Sequence, residues 1–168
     1  MSAYRPLSTL LILLAFTGSA ATAEYRLPGR VLFVVDGDSL VLDVRGSQYR
    51  IELDEIDAPE LNQPWGPEAS EWLSRSLTGR FVVVQQRQTL ADGRVRGRVM
   101  FGGRDVGLDL LHEGLAWHAL EPATGLPDQN AAYRDAEDTA RSHQVGLWAD
   151  ESPVPPWKWR RPGVRPPR

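Results

Sequence analysis

Two short strings hold the residues best suited to chemistry, "VVDGDSL" over 34–40 and "IDAPE" over 56–60. The first puts Asp36 and Asp38 on a turn between two apolar runs. The second puts Asp57 and Glu60 where a third strand ends. If those strands pair, Asp38 and Asp57 meet. A hard divalent cation takes carboxylate and carbonyl oxygens, and two aspartates from separate elements begin such a site. Asp-Gly is also a common hairpin turn, and Asp-Ala-Pro is ordinary loop chemistry. On spacing alone the structural reading leads. The wider string "RIELDEIDAPE", 50–60, holds five carboxylates, Glu52, Asp54, Glu55, Asp57 and Glu60. They cannot all be buried unpaired.

The elements that must position these residues follow from periodicity and turn chemistry. "RVLFVV" (30–35) and "SLVLDV" (39–44) are β-branched and apolar, and "QYRIEL" (48–53) alternates. Tyr49, Ile51 and Leu53 face one way, Arg50 and Glu52 the other. Three short strands therefore form a meander. Pro67, Glu68 and the spacing of Ala69, Trp72, Leu73 and Ser76 predict a helix that Gly79 stops. "RFVVVQQR" (80–87) and "RVRGRVMFG" (94–102) predict two more strands. "DVGLDLLHEG" (105–114) and 128–146 predict helices, the last with Asp128 as cap. This order predicts an α+β fold, a five-stranded OB-type barrel with three helices.

The first 23 residues combine Arg5, an apolar run and "ATA", the pattern of a cleavable signal peptide. The expected organisation is a signal peptide over 1–23, one domain over 24–152, and a Pro/Trp/Arg-rich tail over 153–168. The expected product is secreted or periplasmic, a monomer, with no membrane association after signal removal. The chain has no cysteine, which excludes thiolate zinc sites. Three scattered histidines argue against an all-histidine metal site, and His112 and His143 read as surface residues. Net charge is −3, and the basic tail leaves the body before it acidic. Nucleic-acid binders usually look basic, but a hydrolase that holds a cation restores the local sign with it.

Taken in series, "VVDGDSL", "RIELDEIDAPE", "QPWGPEAS", "DGRVRGRVMFGGRDVGLDLLHEGLAW", "GLWAD" and "PVPPWKWR" resemble the staphylococcal (micrococcal) nuclease family, in its exported bacterial branch. The resemblance runs from about Arg30 to Arg161. It implies an OB barrel with three helices and Ca²⁺-dependent hydrolysis of phosphodiester bonds in DNA and RNA, single-stranded or locally open. Position by position it implies that Asp38 and Asp57 bind Ca²⁺, with the Ala58 carbonyl a further ligand. Glu60 matches the residue that activates water, and Arg94 the arginine that holds the scissile phosphate.

Three places depart from the family pattern. Glu52 stands where the family has its second phosphate-binding arginine. "LADGR" has Leu90 and Asp92 where the family has aspartate and tyrosine. "HALEP" offers Leu120 and Pro122 where aromatic residues line the nucleotide pocket. The phosphate clamp has thus lost one arm, and a slow nuclease is the expectation. Arg50, Arg96 or Arg98 are available as replacements, although Arg96 and Arg98 read first as a solvated charged face. Glu52 is either a third carboxylate near the cation or a structural partner of Arg50 or Arg94. Asp54 and Glu55 read as solvated. The tail reads as extended, its tryptophans packed on the barrel. Two other classes stay open: a nucleic-acid or nucleotide-binding module with little catalysis, and an exported structural or assembly protein.

Overall fold

The computed structural model describes residues 25–119, 131–161 and 163. The expected signal peptide, Leu120, Pro122, the Asp128 cap and the last tail residues lie outside them. The described residues form β1 (Tyr25–Val34), β2 (Ser39–Val44), β3 (Ser47–Leu53), β4 (Ile56–Asp57), α1 (Gly66–Leu77), β5 (Phe81–Thr89), β6 (Val95–Phe101), β7 (Arg104–Asp105), α2 (Val106–His112), β8 (Trp117–His118), α3 (Ala131–Ser142) and α4 (Pro156–Trp159).

Strands β1, β2, β3, β5 and β6 close into a five-stranded barrel. The order is β3-β2-β1-β5-β6, and β3 pairs with β6 in parallel to shut it. β1 starts at Tyr25 rather than at the expected Arg30, because one long strand serves two neighbours. Its first half pairs with β5 and its second half with β2, with a register shift between Val31 and Phe33. Such a shift bends a strand and lets a small barrel close. Inward positions of the alternating strands are fully buried: Val31, Leu40, Leu42, Ile51, Val84 and Val99.

α1 caps the barrel with Ala69, Leu73 and Leu77, one residue per turn on a single buried face. α2 is started by Asp105, whose side chain accepts from the Gly107 amide at 3.0 Å. α3 packs on α2 through Tyr133 and Ala136.

There are four α-helices among the described residues rather than three. The extra one, α4, lies in the tail expected to be extended throughout. Proline costs a helix its stability only in the interior; at the first position the missing N–H is unpaired anyway. Pro156 takes that position and is buried.

Candidate active site

The β1–β2 turn and the segment after β3 form one wall of a cavity of about 450 Å³. Asp36 shapes the turn. Its Oδ1 accepts from the Asp38 amide at 3.2 Å and the Ser39 hydroxyl at 2.7 Å. That leaves Asp38 pointing across, where its Oδ2 accepts from the Ala58 amide at 2.8 Å. The two strings singled out in the sequence are therefore joined by one hydrogen bond. A Cβ on Gly37 would lie 2.6 Å from the Ala58 Cβ and 2.9 Å from that of Ala69. Only glycine lets the turn, the 58–60 segment and α1 approach this closely. Burial pushes the Asp38 carboxyl well above the usual aspartate value, and the charges of Asp36 and Asp57 push the same way.

Asp57 is carried by the short pair β4–β8, opposite Trp117. Glu60 follows on a turn that accepts the Gln63 amide at 2.7 Å, and a Cβ on Gly66 would meet the Glu60 carbonyl oxygen at 1.9 Å. Both side chains meet a residue that sequence reasoning did not single out, Arg160. Its guanidinium spans Asp57 Oδ1 at 3.0 Å and Oδ2 at 2.6 Å, and reaches Glu60 Oε1 at 2.7 Å. Burial raises the Asp57 carboxyl, and the Arg160 bonds oppose that shift. The only signal for Arg160 in the sequence is the interleaving of aromatic and basic residues in "PWKWRR".

The opposite wall is β3 against β6, where Glu52 stands beside Arg96 in register. Glu52 pairs with two arginines, Arg94 at 2.6 Å and Arg96 at 2.7 Å. Glu52 thus pairs with Arg94, one of its two expected partners, and with Arg96 rather than Arg50 as the further one; its charge also reaches Asp57. Arg94 is held again by Asp92, which accepts from its Nε at 2.7 Å and from its amide at 3.1 Å. Arg50 is exposed and lines the cavity rim with Arg94.

The readings of Asp54, Glu55, Arg96 and Arg98 as solvated are corrected. Asp54 is buried and pairs with Arg87 at 2.9 Å. Glu55 pairs with Arg87 and with Arg98, the latter at 3.2 Å. The Arg98 guanidinium lies 5.4 Å from the Tyr133 ring centroid, and the Tyr133 hydroxyl donates to Asp105 at 2.8 Å. Burial first, and the Asp105 charge next, hold that phenol far above its ordinary range. This second layer fixes the exit of β3, and so Asp57, from behind. His112 and His143 are exposed, as read.

Donor chemistry decides what cation suits the cavity. Asp38 and Asp57 offer oxygen only, beside further carboxylates, with Asp38 short of positive charge. Among the described residues no three His, Asp or Glu side chains are grouped to hold a metal ion. Side chains alone thus do not close a shell. An oxygen-only pair with open space beside it suits a hard cation that keeps water and substrate oxygens. The residues fit Ca²⁺ or Mg²⁺ in this sense.

Residues 50–150 match the family model described as staphylococcal nuclease homologue. The chain is 34% identical over 153 residues to "Protein ParB" of Escherichia coli, covering 85% of this chain and 83% of that one. It is 30% identical over 170 residues to the "Micrococcal nuclease" of Shigella flexneri, covering 96% and 94%. It is 29% identical over 151 residues to a protein of Haemophilus influenzae named "Uncharacterized endonuclease", covering 89% and 82%.

Proposed function

The chain belongs to the staphylococcal nuclease family, and on that premise we propose that it is a nuclease that hydrolyses phosphodiester bonds of DNA and RNA with Ca²⁺. Family and nuclease relatives support the activity; the ion, both substrates, export and a low rate are the proposal. The observation that carries it is the meeting of Asp38, Asp57 and Glu60 on one wall of the cavity with Arg94 on the other.

Asp38 and Asp57, with the Ala58 carbonyl, would hold the ion, which when bound offers positive charge to a phosphate oxygen and to water. Glu60 takes a proton from the attacking water. A new P–O bond forms, the ester P–O bond breaks, and the leaving oxygen takes a proton from solvent. Arg94 donates to the phosphate oxygens, where negative charge grows. Asp92 holds Arg94 in place for this. Glu52 opposes it, because a carboxylate between two guanidiniums occupies donors and repels the phosphate. This supports a slow enzyme.

The same observation favours one second reading, a binding module with little turnover. Arg94→Ala separates the two. Loss of one such donor typically costs about 10²–10³ in rate. We expect that loss against single-stranded DNA, with the thermal transition kept. Cleavage at the parent rate would remove Arg94 from the mechanism. Salt-dependent binding by the parent without cleavage in Ca²⁺ would select the binding module.

A further inference from the structure

The tail delivers one side chain into the site and is built to do so. Trp157 packs edge-on against Trp117, ring centroids 5.7 Å apart, and Trp117 is the register partner of Asp57. Trp159 Nε1 donates to Asn62 at 3.2 Å, and Gln63 donates to the Val154 carbonyl. Arg160 lies one helical turn beyond Trp157, on the same face. The strand pair that carries Asp57 therefore also seats the segment that covers it. Arg160 stays half exposed and lines the cavity.

The charges at the site need such a residue. Arg94 and Arg96 share Glu52, and Arg94 also serves Asp92. A phosphate arriving there competes with Glu52 and Asp92 for those guanidiniums. Among the described residues the Arg160 guanidinium is bound to Asp57 and Glu60, and a divalent cation on Asp57 outbids a guanidinium for that carboxylate. Released from Asp57, the fork is already beside the water-activating Glu60, where the phosphate must lie. Resting on the nuclease reading, we propose that Arg160 is a substrate-facing guanidinium of the site, stored on Asp57 and Glu60 until a cation takes Asp57 and then donating to the phosphate.

The two halves of the proposal predict opposite effects of one change. In Arg160→Gln the cation no longer competes for Asp57, so calorimetric titration gives Ca²⁺ affinity at least about fivefold higher than the parent. At saturating Ca²⁺ the same variant cuts a single-stranded oligonucleotide at least about tenfold more slowly. Arg160→Lys keeps the competing charge but not the fork. It holds Ca²⁺ affinity near the parent's and stays slow. Arg161→Gln, the neighbouring exposed charge, moves each quantity less than about twofold. Unchanged or weaker Ca²⁺ binding by Arg160→Gln overturns the proposal, as does an undiminished rate at saturation. If the parent binds Ca²⁺ and cuts while Arg160→Gln matches it, this inference fails alone. If the parent does neither, the nuclease reading fails with it.

Discussion

If the chain cuts as proposed, Glu52 is the residue expected to set the rate. It holds Arg94 and Arg96, so its removal has two opposed effects: less repulsion of the phosphate and a looser Arg94. Arg94 is held independently by two hydrogen bonds to Asp92. The brace is therefore partly redundant and the repulsion is not. Glu52→Gln keeps an acceptor for both arginines and removes the charge. Its kcat/KM for single-stranded DNA should rise at least about threefold, or ~0.7 kcal/mol of barrier. A tenfold fall in steady-state assays would make Glu52 a positioning residue for Arg94 instead.

Asp38 carries a second prediction at this scale. Its folded-state value is raised, mainly by burial. From the ordinary aspartate range upward, the folded protein therefore binds more protons than the unfolded chain. Stability from this group then falls as pH rises through that window. In EDTA the parent should lose thermal stability through this group as pH rises above the ordinary aspartate range, and Asp38→Asn should lose less. Parallel pH profiles for the two proteins would contradict the assignment. At this scale the sequence was informative about single residues and about one pair, Glu52 with Arg94, and silent about the other partners. Asp38, Asp57, Glu60 and Arg94 were singled out through the resemblance that their motifs carry in series, since on spacing alone the structural reading led, and the fold brings all four to one cavity. The Glu52–Arg96 pair needs the parallel closure of β3 on β6, which no local pattern records. Arg160 meets Asp57 across 103 residues of chain.

Elements hold these residues by close approach. The β1–β2 turn, the 58–60 segment and α1 converge on Gly37. Gly37→Ala forces a Cβ into the Ala58 and Ala69 methyls. Overpacking of this kind costs about 1–3 kcal/mol. Denaturant titration should give that loss, with weaker Ca²⁺ binding because Asp38 shifts with the turn. A stable variant with parent affinity would show the packing to be slack. Behind β4, Tyr133→Phe removes only the bond to Asp105, so chemical denaturation should show a loss of about 1 kcal/mol. Cleavage by this variant should hold; a large loss of rate would tie the second layer to chemistry directly.

The barrel strands and α1 were legible because alternation and one-face periodicity are local properties. β4 and β8 are two residues each and exist only by pairing with one another, so no period announces them. α4 was hidden by its own prolines. Their usual effect is to break a helix, and here one of them starts it.

At the scale of the whole molecule, an acidic chain with a basic tail is folded so that the described part of that tail returns Arg160 to the acidic cavity. The net charge of −3 argued against a plain nucleic-acid binder. The fold places much of that acidity among arginines, in a site that a cation and a phosphate would complete together. The measurement that tests this most directly is digestion of single-stranded DNA by the parent and by Glu60→Gln, in Ca²⁺, in Mg²⁺ and in EDTA. Slow cleavage by the parent is expected in Ca²⁺ and none in EDTA, with a loss of at least about 10² in rate for Glu60→Gln. Cleavage that persists in EDTA, or a Glu60→Gln variant that cuts at the parent rate, would contradict it.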